Sequence, residues 1–302
     1  MWSWLSLIAL RCWSGSDLFS KIGCQGEDDK LSHLKMVIAV GAVMGLHAAY
    51  EVFISGAAIS VGVFLTYLPV SLLYISSMTV GYLGLRYIEL SISSPICNSS
   101  GALVAVLCLI TGGIGEIVPM QLAATALVCA GVIGLGLVEA HEDDELRHAR
   151  QDEANRRYAK SWLALALPVI YCLLDALGTF ADSLVLETLG EDSANVAYEL
   201  TFLLAGLVCF VYVVCVKKDK LLPSREAPKY VGALFETAGQ FAYIYAIADS
   251  AHVAMAAPII SSYCVASVLW SRIFLREKLS KKHYAMVLLV VAGIVILGCY
   301  DV

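Results

Sequence analysis

Apolar runs of about 20 residues, separated by short polar turns, recur along almost the whole chain. That is the length a helix needs to cross a hydrocarbon core of roughly 30 Å. The apolar character is continuous rather than alternating, which predicts helices and not barrel strands. Ten helices are expected: about 2–22, 34–55, 62–85, 91–110 and 117–138, then 161–183, 194–216, 230–248, 252–275 and 283–300. Residues 140–160, the only long polar stretch, carry both charge signs and are read as a linker. The linker leaves one five-helix repeat at 1–139 and a second at 161–302.

The two halves share landmarks. Glu89 and Asp249, Pro95 and Pro258, Glu116 and Glu277, and Gly131 and Gly293 stand 160 to 163 residues apart. An odd number of helices per copy inserts the second copy upside down, so the expected fold is an all-α membrane protein of two inverted five-helix repeats.

Composition agrees with a membrane interior as the main solvent. Of the 302 residues, 59% are hydrophobic and 15% charged, with a mean hydropathy of +0.77, which excludes a water-exposed surface. The ten cysteines are scattered without a CxxC pair and read as small apolar fillers. The first run holds Arg11 and Asp17 and has a counterpart in the second half, so it is read as a retained helix rather than a signal peptide. Apart from Arg11, the basic residues follow helices one, three, five, seven and nine, all on one side. The other side carries the acids Glu116, Glu187, Glu191, Asp192 and Asp301. The positive-inside rule then places both termini outside the cytoplasm, in the plasma membrane.

These features together resemble the drug/metabolite transporter superfamily, and its EamA-type permeases in particular. The residues that carry the resemblance are Pro95 and Pro258 entering helices four and nine, and Phe274-Leu275-Arg276-Glu277-Lys278-Leu279-Ser280 followed by Gly293. A weaker first-half copy runs from Glu116 to Gln121 and is followed by Gly131. The resemblance covers essentially the whole chain. It implies secondary transport of a small metabolite through a central cavity formed by helices one to four and six to nine, with helices five and ten peripheral.

Ionised groups in hydrocarbon cost at least a few kcal/mol, so intramembrane acids are candidate substrate or ion sites. Asp17 and Asp175 are an equivalent pair, each thirteen residues beyond a tryptophan, Trp4 or Trp162. The competing reading of Asp17 is an ion pair with Lys21 one turn on. Asp182 lies two turns beyond Asp175 and is expected at a solvated helix end. Glu236 and Gln240, one turn apart, have Ser76 and Val80 as counterparts, so they break the symmetry as a specificity determinant would. Glu51 and Glu199 share the tripeptide Ala-Tyr-Glu, but at mismatched registers. The tripeptide is read as coincidence, and each acid stays a cavity candidate. Pro95 and Pro258 each free a carbonyl; nearby serines can mend the helix, while Asn98 and Tyr263 are the better cavity candidates. Trp13 stands one turn before Asp17, and Tyr67, Tyr74, Tyr82, Tyr243 and Tyr245 crowd helices three and eight. Aromatics beside acids suit an organic cation, although Trp and Tyr also populate membrane interfaces. Gly41, Gly45, Gly131 and Gly134 are expected at close helix contacts.

The expected function is therefore a secondary active transporter, not an enzyme. Its substrate would be an amine, a choline-like compound or an amino acid, moved by alternating access with H⁺ or Na⁺ coupling. Partners would be that substrate, the coupling ion and lipids, with no nucleic acid and no cofactor, in a monomer or homodimer. Two rivals are a membrane-embedded transferase and a lipid flippase. A transferase needs paired aspartates for Mg²⁺, and the adjacent pairs Asp28-Asp29 and Asp143-Asp144 lie in mixed-charge loops. A channel would show a ring of like charges or a repeated filter, and neither is visible.

Overall fold

The computed structural model describes residues 1–24, 29–87, 90–111, 119–140, 162–274 and 280–299. Glu27, Asp28, Glu89, Glu116, the linker, Arg276 to Leu279 and Asp301 lie outside the described residues. Twelve α-helices order the rest: α1 Trp2–Cys24, α2 Ser32–Tyr50, α3 Val61–Tyr87, α4 Leu90–Asn98, α5 Ser100–Thr111 and α6 Pro119–Ala140, then α7 Trp162–Leu186, α8 Glu191–Phe210, α9 Pro223–Ile247, α10 Val253–Ser261, α11 Tyr263–Phe274 and α12 Lys281–Cys299. In lipid each backbone N–H and C=O must find its partner within the segment, which leaves an apolar run only the helix.

Helix ends follow local chemistry. Pro223 opens α9, where its missing N–H costs nothing, and Glu191 and Asp192 sit in the first turn of α8, facing the positive end of the helix dipole. Both α2 and α8 run into a π-helical turn, at Glu51–Ser55 and Val211–Val216. The first of these ends at Gly56 with φ 79°, a left-handed cap that glycine adopts without strain.

The expected fourth and ninth helices are each broken in two, at Ser99 between α4 and α5 and at Ser262 between α10 and α11. Each break falls four residues after the proline of its run. The turns are closed locally: Ser99 N–H donates to Ile96 O at 3.2 Å, and Ser262 N–H to Pro258 O at 3.0 Å.

Several packing partners are exchanged half for half. α1 packs on α9 as α7 packs on α3, and α2 packs on α9 as α8 packs on α3. α1 meets α10 and α11 as α7 meets α4 and α5, while α2–α8 and α6–α12 are partners across the middle. Glycines set the closest crossings. A Cβ on Gly131 would strike Val290, and one on Gly293 would strike Val128 and Ala124 O, so these two landmarks face each other across one α6–α12 crossing. Gly41 does the same on α2 against Phe202 O and Gly206 of α8.

Among the described residues five helices are long and apolar enough to cross a membrane: Ser32–Ser55, Val61–Tyr87, Ala166–Leu186, Glu191–Val216 and Val253–Phe274. Large apolar side chains such as Leu72, Leu177, Leu204, Val208, Leu288 and Val295 point outward. The interior instead holds hydroxyls and charges, including Ser14, Ser71, Ser267, Glu199 and Lys229. These polar groups stand within a largely apolar core, while the outer surface is apolar too, unlike that of a water-soluble protein.

Gly41→Ala is expected to lower the thermal unfolding temperature in detergent, since overpacking a tight contact costs about 1–3 kcal/mol. Gly62→Ala, whose added methyl meets only Ser60 Oγ at 3.6 Å, should leave it unchanged.

Candidate functional site

A cavity lies between α1, α3, α4, α5, α7, α8, α9, α10 and α11. Seven of the nine expected site residues line it: Trp13, Asp17, Asn98, Asp175, Glu236, Gln240 and Tyr263. The cavity forms there because α4–α5 and α10–α11 are broken. Their short halves pack separately on α1 and α7, and the polar residues beside the breaks face inward.

Asp17 is gripped from two helices. The hydroxyls of Ser94 on α4 and Ser267 on α11 donate to its Oδ2 at 2.6 and 2.9 Å. Lys21, the partner in the competing reading, donates to Leu85 O at 2.9 Å. Asp175 accepts from Ser100 at 2.7 Å, and Asn98 donates to Ser94 O at 2.7 Å. Glu236 is 8% exposed; Ser16 lies beside it, and Asp17 and Asp175 are near enough to act on its charge. Three carboxylates therefore face one space, and among the described lining residues there is no lysine, arginine or histidine.

The remaining walls are aromatic. Trp13 lies 5.1 Å from the Tyr243 ring and 5.9 Å edge-on to Tyr263. Four buried polar atoms on the walls have no hydrogen-bond partner among the described residues: Trp13 Nε1, Ser20 Oγ, Tyr82 OH and Gln240 Nε2. Buried polar groups are almost always satisfied, so such a set facing a cavity marks groups that a bound molecule can complete.

Glu51 and Glu199 do not line this cavity. They converge on His47 of α2, whose Nδ1 lies 2.8 Å from Glu199 and whose Nε2 lies 3.7 Å from Glu51. Asn195 also donates to Glu199 at 3.2 Å. The shared Ala-Tyr-Glu thus corresponds to a spatial pairing, produced by the α2–α8 crossing rather than by the duplication register. Asp182, expected at a solvated end, is instead fully buried at 0% exposure and accepts from the Tyr67 hydroxyl at 2.7 Å. Of the tyrosines, Tyr74, Tyr82 and Tyr243 line the cavity, while Tyr245 bonds Asp192 away from it. Tyr171, between Pro168 and Asp175, and Tyr198, next to Glu199, also join the lining.

A second charged cluster closes one end of the bundle. Lys35 Nζ lies 3.0 Å from Asp29, 3.1 Å from Asp219 and 3.9 Å from Glu226. Lys229 reaches Glu226 at 3.0 Å and Asp29 at 3.5 Å. The cluster joins α2, α9 and the turns that precede them.

Residues 163–299 match the EamA-like transporter family. The second half of the chain is an EamA-like domain. That family belongs to the drug/metabolite transporter superfamily, and the five membrane-length apolar helices among the described residues agree with a multi-pass membrane protein. No curated protein matches the chain by sequence. Among solved structures, one crystal structure aligns over 99% of this chain and 96% of its own, at 12% identity and a TM-score of 0.65, a likeness of fold. The EamA-like domain supplies Asp175, Glu236, Gln240 and Tyr263 to the cavity, so its match covers one wall of the site and two of its three acids.

Lys35→Met leaves Asp29 and Glu226 buried with one cation fewer, and breaking a buried pair from one side costs about 3–5 kcal/mol. Its melting temperature in detergent should fall well below that of Lys281→Met, an exposed lysine. The Lys35 hydrogen bond holds the Asp219 carboxyl below its ordinary range. That contribution is present above the unfolded value and is lost as pH falls through the depressed one, so Asp219→Asn should remove part of the acid-side loss of stability.

Proposed function

We propose that this chain is a secondary active transporter that moves a small organic cation, an amine or choline-like compound or an amino acid, by alternating access around the central cavity. The observation that carries this reading is the set of Asp17, Asp175 and Glu236 facing one aromatic-walled space with no basic side chain among the described lining residues. Like charges that close cannot all ionise without a counter-ion, so the site calls for a cation, for protons or for both. Trp13, Tyr243 and Tyr263 present ring faces that attract an ammonium group, and the unpartnered Trp13, Ser20, Tyr82 and Gln240 groups suit a solute that also carries hydrogen-bonding atoms. H⁺ or Na⁺ would drive the cycle.

In this reading the ten spans form two inverted five-helix repeats that rock about the cavity. The half-for-half exchange of packing partners supports it. The protein would lie in the plasma membrane with both termini outside the cytoplasm.

Reconstituted in liposomes, the full chain is expected to take up labelled choline, ethanolamine or an amino acid under an imposed ion gradient. Glu236→Gln removes one buried counter-charge, and losing even about 1.4 kcal/mol of binding weakens uptake about tenfold. Unaltered uptake and pH dependence in both Glu236→Gln and Asp17→Asn would remove the acidic walls from the mechanism. A C-terminal reporter active only in the cytoplasm should stay dark in cells; a lit reporter reverses the orientation.

A further inference from the structure

Asp182 sits on α7, two turns beyond Asp175, with no exposed surface and outside the cavity lining. The duplication does not account for it. Trp4 to Cys24 and Trp162 to Asp182 are both twenty residues, so a thiol occupies the equivalent place in the first half. Tyr67, itself fully buried, donates to Asp182 Oδ1 at 2.7 Å. The Tyr74 hydroxyl lies 3.4 Å from Asp182 Oδ2, 3.1 Å from Thr179 Oγ1 and in short contact with the Tyr243 hydroxyl. Tyr74, Thr179 and Tyr243 all reach the cavity wall.

We propose that Asp182 is a proton-binding site of this chain, connected to the cavity through the hydroxyls of Tyr74 and Tyr243. Among the described residues the groups that face Asp182 are Tyr67 and Tyr74 from α3, Tyr243 from α9, Tyr198 edge-on to both α3 rings from α8, and Thr179 from its own helix, with Asp175 near enough to act on Tyr74. None of them is a cation. Glu199 differs, since His47 stands against it. A carboxyl held in hydrocarbon by hydroxyls alone has no ion pair to fix its charge, so either protonation state is within reach.

The tyrosines give that choice a path. Tyr74 carries one hydroxyl hydrogen and has three acceptors around it. With Asp182 ionised, the hydrogen is drawn to the carboxylate. With Asp182 protonated, the acid itself donates, and the Tyr74 hydrogen turns to Thr179 or Tyr243 at the cavity wall. The proton enters from cavity water, passes along O–H bonds that break and re-form, and leaves by the same route. A cation in the cavity favours the ionised state, so solute binding and proton release go together. This coupling rests on the transport reading, whereas the protonation of Asp182 does not.

Infrared difference spectroscopy of the purified full chain, titrated through the neutral range, tests the site without any ligand. A protonated-carboxyl band that titrates in wild type should be missing in Asp182→Asn and displaced along the pH axis in Tyr67→Phe. A spectrum unchanged in Asp182→Asn overturns the assignment. If that variant does not fold, an undisplaced band in Tyr67→Phe, which lacks a single hydroxyl, overturns it instead. In liposomes with choline as the probe, Asp182→Asn should keep choline-for-choline exchange and lose accumulation driven by a pH gradient; accumulation equal to wild type sinks the coupling. Wild type that neither exchanges nor accumulates the amines tested would count against the substrate reading, and the infrared titration would still decide the proton site.

Discussion

A charge in hydrocarbon is several kcal/mol out of place unless it meets a partner, water or a ligand, and the arrangement of this bundle follows from that constraint. The acids drawn into the interior have been given several kinds of company. Asp17 and Asp175 have serine hydroxyls, Glu199 has a histidine, Asp182 has tyrosines, and Asp29 and Glu226 share two lysines. Asp29, Glu226 and Glu199 meet basic side chains that tie helices together, and Asp17, Asp175 and Asp182 meet hydroxyls.

The second organising constraint is steric. Lipid gives helices no reason to pack on apolar surface alone, so close approach at small residues supplies the contact. Gly131 against the α12 backbone and Gly293 against the α6 backbone are one contact seen from both sides, and Gly41 with Gly206 is another. Both crossings join a helix to its own counterpart in the other half. The breaks at Ser99 and Ser262 do the opposite, loosening two spans where the cavity needs room.

Much of this was legible in the chain. Run length and continuous apolarity located the helices, and the prolines and glycines marked the two broken spans and the close crossings, because these residues act through the backbone and leave a local signature. Asp17, Asp175 and Glu236 stood out because a carboxylate within an apolar run is costly to keep unless something binds there. Partners were harder. Lys21 is four residues from Asp17, yet it reaches across to α3, and Glu51 with Glu199 were separated in register while α2 and α8 brought them to one imidazole. Asp182 looked terminal because it is near the end of its helix. What buries it is a pair of tyrosines more than a hundred residues away in sequence, which local pattern does not encode.

The hydroxyls of Ser94 and Ser267 have one hydrogen each, and both are directed at Asp17. Neither is left for a visitor. That side of the chamber therefore offers lone pairs, while the hydrogens without a partner among the described residues belong to the indole of Trp13, the hydroxyl of Ser20, the phenol of Tyr82 and the amide of Gln240. Unlike attachment points fixed on several helices distinguish a molecule from its mirror image, so a chiral guest would be admitted in one hand in preference to the other.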